Sequence, residues 1–133
     1  MDWAFDLRGI KQGYALKDTP EGFGIAYEAH IYPWKNNKDS MVLAVKDIAP
    51  IIVGEFGITP EDRRGAPGAA KAPGWLPDLL DWMDKNELNW AAWCFHTGAG
   101  LPMLKNDSFE PTDHFGLIVK ERLLSYPATV THF

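Results

Sequence analysis

The sequence predicts an α/β fold in which three parallel strands alternate with three helices. The first observation behind this prediction is the β-α-β-α-β-α order of strand and helix patterns along the 133 residues. Such an alternation implies parallel strands that are joined by right-handed crossovers. The second observation is the short, continuous apolar run IIVGE at 51–55, which is typical of a parallel strand covered on both faces.

Strand patterns occupy three segments. GIAYEAHIY at 24–32 and NWAAWCF at 89–95 are rich in β-branched and aromatic residues, and the apolar run at 51–55 lies between them. The side-chain period of two places His30 and Tyr32 on the same side of the first strand.

Helix patterns occupy the segments at 39–49, 76–86 and 113–125. Each places apolar residues at the spacing of one helical face, and Thr112 or Asp113 is the predicted N-cap of the last helix. The predicted apolar faces are Met41, Val45, Ile48 and Ala49; Leu76, Leu79, Leu80 and Met83; and Phe115, Ile118, Val119 and Leu123.

Composition excludes several classes of protein. With 46% hydrophobic and 23% charged residues, residues 1–133 read as a single globular domain. No apolar run approaches the ~18 residues of a membrane span, and a net charge of −5 without a basic patch argues against nucleic-acid binding. Cys94 is the only cysteine, so an internal disulfide is not possible. No spacing of His, Asp and Glu predicts a metal site.

Three βα units leave two open sheet edges. A closed (β/α)₈ barrel usually needs about 250 residues, and this chain has roughly half of that. We therefore expect either a small open sheet or a sheet that a partner completes. The segment at 56–74 is long and rich in Gly and Pro, and a loop of this length in a compact α/β unit is usually functional.

The predicted strand ends carry polar and aromatic side chains. His30 and Tyr32 end the first strand, Glu55 ends the second, and Trp93 and His96 follow the third. Ligands bind at the carboxyl ends of parallel strands, so these side chains converge if the strands are neighbours. A carboxylate can stabilise an oxocarbenium-like carbon, and a flat indole can stack under a pyranose ring. The pattern indicates a sugar-processing site.

The segments DWAFDLRGI, GIAYEAHIYPWK, PIIVGEFG and NWAAWCFH together resemble a bacterial family 5 glycoside hydrolase, a cellulase of the endo-β-1,4-glucanase type. They are similar to the end of strand five and to strands six, seven and eight of that family's barrel. The resemblance covers nearly the whole chain and implies a partial (half) TIM (β/α)₈ barrel, the C-terminal half.

By this resemblance, Glu55 matches the family's catalytic nucleophile. His30 and Tyr32 match a His-x-Tyr pair that contacts substrate and nucleophile, and Trp93 matches the strand-eight tryptophan that lines the subsite where the bond is cut. Trp34 lies where a second stacking surface is expected, with core packing as the alternative. His96 is a candidate substrate-binding residue at the rim.

One part of the family's pattern is absent from the sequence. The family's acid/base glutamate lies in an Asn-Glu-Pro motif, which does not occur here, so the isolated chain is expected to be weakly active or inactive. Glu28 has the same strand parity as His30, which makes it a candidate for the missing general acid. The alternative is a structural role for Glu28. Glu61 and Asp62 in the long loop, and Asp6, are expected to be surface or structural residues.

The resemblance implies retaining hydrolysis of β-1,4-glucan without cofactors. It also implies a secreted parent enzyme, although no signal peptide is visible in the sequence. The expected partners are β-glucan or cello-oligosaccharides, together with self-association or a complementary N-terminal half-barrel. The alternative is a catalytically inactive carbohydrate-binding or assembly module.

Overall fold

The computed structural model describes residues 7–17, 24–35, 38–59 and 72–127. Within these residues, three parallel strands form one open sheet in the order β1-β2-β3. The strands are β1 (Tyr27–Ile31), β2 (Ile51–Phe56) and β3 (Asn89–Trp90). The predicted fold class, with its three neighbouring parallel strands, is therefore confirmed.

Two α-helices follow the strands: α1 (Ala72–Lys85) connects β2 to β3, and α2 (Gly116–Ser125) follows β3. Two short π-helical segments, Ile10–Tyr14 and Asp39–Leu43, lie earlier in the chain. None of the helices in the described ranges is long and apolar enough to cross a membrane. Asp6, Glu61 and Asp62 lie outside the described residues, as does most of the Gly- and Pro-rich loop.

The first predicted helix, at 39–49, is shorter and less regular than expected. After Leu43 the chain continues as turns, in which the amides of Ile48 and Ala49 both donate to the carbonyl of Val45. β-branched residues lower helix propensity, and this segment contains Val42, Val45 and Ile48. Ile48, predicted on the buried face, is 54% exposed, whereas Val42 is fully buried in its place.

The third predicted strand is also shorter than expected, because β3 pairs with β2 only at Asn89 and Trp90. The chain nevertheless stays beside β2 for longer, since the Ala91 amide donates to Val53 (2.9 Å) and the Trp93 amide donates to Phe56 (2.8 Å). Beyond Trp93 the chain turns away from the sheet. This continuation brings Trp93 to the same end of the sheet as the end of β2.

The N-terminus of α2 differs from the predicted cap by a few residues. The N-cap position is Phe115, which makes no side-chain cap bond. Thr112 still contributes, because its buried hydroxyl accepts the Gly116 amide (3.0 Å) and donates to the Pro102 carbonyl (3.0 Å). The predicted cap residue therefore stabilises the helix from one turn earlier.

One face of the sheet forms the core against the helices. Ala29 and Ile31 of β1 and Val53 and Phe56 of β2 are buried on this side. The α1 face predicted from the sequence is confirmed, since Leu76, Leu79, Leu80 and Met83 are each at most 1% exposed. In α2, Phe115 and Val119 are buried, Ile118 packs on the core from outside, and Leu123 is 54% exposed. Trp75 and Trp82 pack against the core, as expected.

Candidate active site

Glu55 lies at the carboxyl end of β2, where its carboxylate is held by His30 of β1 and by Tyr32, which follows β1 directly. The Tyr32 hydroxyl donates a hydrogen bond to Glu55 Oε1, and His30 Nδ1 lies 3.2 Å from Glu55 Oε2. The Glu55 side chain is 23% exposed and Tyr32 is buried. Three of the six site residues predicted from the sequence are thus brought together at one end of the sheet.

An irregularity in the pairing of β1 with β2 places His30 and Glu55 on the same face. Ala29 pairs with Val53, but the next pair is His30 with Glu55, so Gly54 is an extra residue in β2. In a regular register His30 would pair with Gly54, and Glu55 would face the helix side of the sheet. The bulge at Gly54 moves Glu55 to the face that carries His30, because one inserted residue reverses the side-chain direction of the residues that follow it in the strand.

Glu28 lies on the same face of β1 as His30, as the parity predicted. His30 Nε2 is 3.1 Å from Glu28 Oε1, so the imidazole lies between the carboxylates of Glu28 and Glu55. Gly54 leaves room for this arrangement, since a Cβ built there would lie 2.5 Å from Cδ and Cγ of Glu28. Glu28 therefore orients His30.

Trp34 stacks on Tyr32 immediately after β1. The ring centroids are 4.4 Å apart and the planes differ by 9°. Trp34 is only partly buried: one face packs on Tyr32, while part of the residue stays accessible. The Tyr32 hydroxyl contacts Glu55, so Tyr32 joins the stacked pair to the carboxylate.

Lys35 is a cation that sequence reasoning missed at this site. Its ammonium donates to the His30 carbonyl (2.9 Å) and lies 5.2 Å from the centroid of the Tyr32 ring. Partial burial lowers the pKa of Lys35 to about 7, against the opposing effect of the Glu55 carboxylate, which raises it. A charge that titrates near neutral pH thus lies next to the candidate nucleophile.

Trp93 reaches this end of the sheet from β3. Its amide donates to Phe56, the residue after Glu55, and its side chain is 48% exposed. Burial raises the pKa of the neighbouring Cys94 thiol, and the Glu55 carboxylate raises it further.

His96 is not joined to the other site residues by the hydrogen bonds of the described chain. It is exposed, and its Nδ1 accepts the Gly98 amide (2.8 Å). Among the described residues, no group of three or more His, Cys, Asp and Glu side chains could hold a metal ion.

Gly54 was the second feature that sequence reasoning missed, although a signal for it exists. A glycine inside a strand pattern often marks a bulge or a close approach, and GEF follows the apolar run directly. No comparable pattern would have identified Lys35, because its burial and its contact with His30 depend on the turn after β1.

Solved structures show what this arrangement is similar to. The native β-glucanase SdGluc5_26A from Saccharophagus degradans superposes with a TM-score of 0.70 at 27% identity over 92% of this chain. The same β-glucanase in complex with cellotetraose gives a TM-score of 0.69 at 26% identity. The fold is similar to part of the barrel of these glycoside hydrolases. The resemblance to cellulases that was stated from the sequence is confirmed.

The partial barrel also matches an endocellulase from the archaeon Pyrococcus horikoshii, with a TM-score of 0.66 at 19% identity over 91% of the chain, a likeness that concerns the fold alone. The chain spans 39% of the S. degradans β-glucanase and 36% of the archaeal endocellulase. This coverage is consistent with the C-terminal half of such a barrel. No protein-family model and no curated protein matches the sequence.

Proposed function

We propose that this partial barrel supplies the nucleophile of a retaining β-1,4-glucan hydrolase, and that Glu55 is that nucleophile. One observation carries the proposal: the Glu55 carboxylate is fixed through both oxygens, by the Tyr32 hydroxyl and by His30 Nδ1, and remains 23% exposed. A nucleophile needs this combination of fixed orientation and access to the reacting carbon.

In the proposed reaction, a Glu55 oxygen attacks the anomeric carbon of the sugar. The glycosidic C–O bond breaks, its electron pair goes to the leaving oxygen, and that oxygen takes a proton from a general acid. Water then hydrolyses the glycosyl ester on Glu55, which restores the carboxylate and retains the configuration. Tyr32 and His30 keep the Glu55 carboxylate aligned, because each contacts one of its two oxygens.

Glu28 is poorly placed to act as the general acid of this mechanism. Retaining hydrolysis places the two carboxyl groups about 5 to 5.5 Å apart across the scissile bond. In this chain the His30 imidazole lies between Glu28 and Glu55 and contacts both, so a sugar cannot be inserted there. We therefore propose that the isolated chain forms the glycosyl–Glu55 ester but does not protonate a poor leaving group.

Cello-oligosaccharides are the proposed ligands. The S. degradans relative was solved with cellotetraose. In this chain Trp93 is about half exposed, and Trp34 stacks on Tyr32, whose hydroxyl contacts Glu55. Flat aromatic faces suit the apolar face of a pyranose ring. We expect Kd values from the high micromolar to the millimolar range, equivalent to roughly −4 to −6 kcal/mol.

A substrate with an activated leaving group tests Glu55 without a general acid. Dinitrophenyl β-cellobioside releases a stable phenolate that needs no protonation. The expected result is a release of dinitrophenolate together with a cellobiosyl adduct, which peptide mass spectrometry locates on Glu55. Glu55→Gln is the matched control and should give neither. Release that continues in Glu55→Gln, or an adduct on another residue, would overturn the assignment.

The second candidate function is a carbohydrate-binding or assembly module without chemistry. The exposed indole of Trp93 favours it, because stacking on a sugar ring needs no second carboxylate. The same variant separates the two functions. A binding module retains cellotetraose affinity in Glu55→Gln and forms no adduct even as the wild type, whereas the hydrolase site loses its adduct in that variant.

A further inference from the structure

Two exposed phenylalanines stack on each other in the segment that follows β3. The ring centroids of Phe95 and Phe109 are 6.0 Å apart and the planes differ by 12°. Phe95 is 66% exposed and Phe109 is 67% exposed. Because each ring covers only one face of the other, the outer faces of the pair stay open to solvent. The two rings form a contiguous exposed apolar surface, and such surfaces are candidate binding sites.

The turn that carries Phe109 is fixed by hydrogen bonds and ion pairs. The Asn106 side chain accepts the amides of Ser108 (3.0 Å) and Glu110 (3.4 Å) and donates to the Glu110 carboxylate (3.1 Å). Lys105 also pairs with Glu110, at 3.0 Å. These contacts hold Phe109 at a φ of +62°.

A positive φ is unfavourable for a bulky residue. Backbone strain of this kind persists where the surroundings fix it, and it concentrates at functional sites. Packing of a buried ring would offset the energy of this backbone strain, but Phe109 is exposed. The turn thus holds Phe109 in an unfavourable backbone conformation, and in this conformation its ring lies exposed beside Phe95.

The position of the pair connects it to the candidate active site. Phe95 is two residues after Trp93, whose amide is bonded to Phe56 at the end of β2. The Cys94 amide donates to Leu101 (3.2 Å), and the Cys94 carbonyl accepts the Met103 amide (3.1 Å). Phe95 is therefore anchored to the same segment as the sugar platform predicted at Trp93.

We propose that Phe95 and Phe109 form a second platform, which binds a glucosyl unit of the β-glucan chain beyond the unit at Trp93. This inference rests on the proposed function and deepens it. The rim of the pair also suits a sugar, because Lys105 carries charge there together with Glu110 and Asp113. These charged groups can form hydrogen bonds with sugar hydroxyls at the edge of a stacked ring.

Calorimetry with oligosaccharides of different length tests this platform. In the wild type, cellohexaose should bind more tightly than cellobiose. The stacking of one more sugar ring should contribute a factor of about three to ten to this gain in affinity. Phe109→Asn removes the ring, and asparagine tolerates a positive φ, so the turn should be kept. The expected result is loss of this gain for cellohexaose with an unchanged cellobiose Kd.

Three further variants complete the design. Phe109→Trp should preserve or increase the gain, because it retains a flat ring. Leu124→Ala removes another exposed apolar side chain (74% exposed) near the end of α2, and it should change neither affinity. Phe95→Ala should reproduce the effect of Phe109→Asn, since each ring supports the other.

Several outcomes would overturn the platform. The gain could survive in Phe109→Asn, or cellobiose and cellohexaose could weaken equally. Light scattering could instead show that Phe109→Asn changes the oligomeric state and leaves sugar binding intact, which would identify a protein contact. The proposed function fails separately, if no adduct forms on Glu55 while the Phe-dependent gain persists. Absence of any oligosaccharide binding would reject both.

Discussion

Replacement of Gly54 by alanine perturbs the site through one defined contact. The new Cβ would lie 2.5 Å from Cδ and Cγ of Glu28, well inside van der Waals contact. The φ of Gly54 is not positive, so alanine fits the backbone and only the Glu28 side chain must move. That side chain is 53% exposed and has room to rotate away from Gly54. The movement breaks its contact with His30 Nε2.

The expected cost follows from the parts of this rearrangement. Loss of the Glu28–His30 hydrogen bond costs about 0.5 to 1.5 kcal/mol, and an unfavourable Glu28 rotamer costs a similar amount. Alanine in place of glycine returns about 0.4 to 1 kcal/mol by restricting the unfolded chain. We therefore expect Gly54→Ala to lower the free energy of unfolding by roughly 1 kcal/mol.

A double-mutant cycle measured by urea unfolding tests the cause. Once Glu28→Ala has removed the obstructing side chain, Gly54→Ala should become neutral or stabilising, which gives a coupling energy of about 1 to 2 kcal/mol. If Gly54→Ala costs the same with and without Glu28, the contact is not the cause. The bulge itself would then be what excludes a Cβ.

Four further predictions concern the site, the helix cap and assembly. Tyr32→Phe should lower stability by about 1 to 2 kcal/mol, because Glu55 loses a donor to a charged oxygen; equal urea midpoints would contradict this. Thr112→Ala should cost about 1 to 2 kcal/mol in thermal unfolding, because the Gly116 amide loses its acceptor, whereas Thr112→Ser should retain most of it. Between pH 7 and about 10, the unfolded state binds more protons at Lys35 than the native state does, so the free energy of unfolding should rise with pH over this range. Lys35→Met should flatten that rise, and parallel curves of unfolding free energy against pH for the variant and the wild type would reject the lowered pKa. The two open sheet edges should lead to a homodimer or larger assembly, and light scattering that shows a monodisperse monomer at micromolar concentration would argue against it.

The parts of the fold that local patterns determine could be predicted from the sequence. The face of α1 was correct residue by residue, because its leucines repeat at a clear helical period and all become buried. The segment at 39–49 has a similar period, but β-branched residues interrupt its helix after Leu43. Periodicity describes which face is apolar, and it does not describe whether the backbone bonds remain regular.

The site was predictable to the extent that it follows from strand parity and from the family resemblance. His30, Tyr32 and Glu55 meet as expected. The parity of Glu55 relative to His30, however, depends on the bulge at Gly54, which strand periodicity alone does not predict. Lys35 and the Phe95–Phe109 pair were missed because contacts between a turn and its surroundings carry no repeating pattern.

The bulge at Gly54 also has a consequence for how the chain folds. The pairing of Tyr27 with Ile51 closes a shorter loop than the pairing of Ile52 with Asn89, and shorter loops close at a lower entropic cost, so β1 and β2 should associate first. At that moment a competing register without the bulge is available, and it would turn Glu55 towards the apolar side of the sheet. Burial of an unpaired carboxylate costs several kcal/mol, so that register should be disfavoured. We therefore expect Glu55 to select the strand alignment during folding, and Glu55→Leu should allow misaligned species that refolding experiments detect as an additional slow phase.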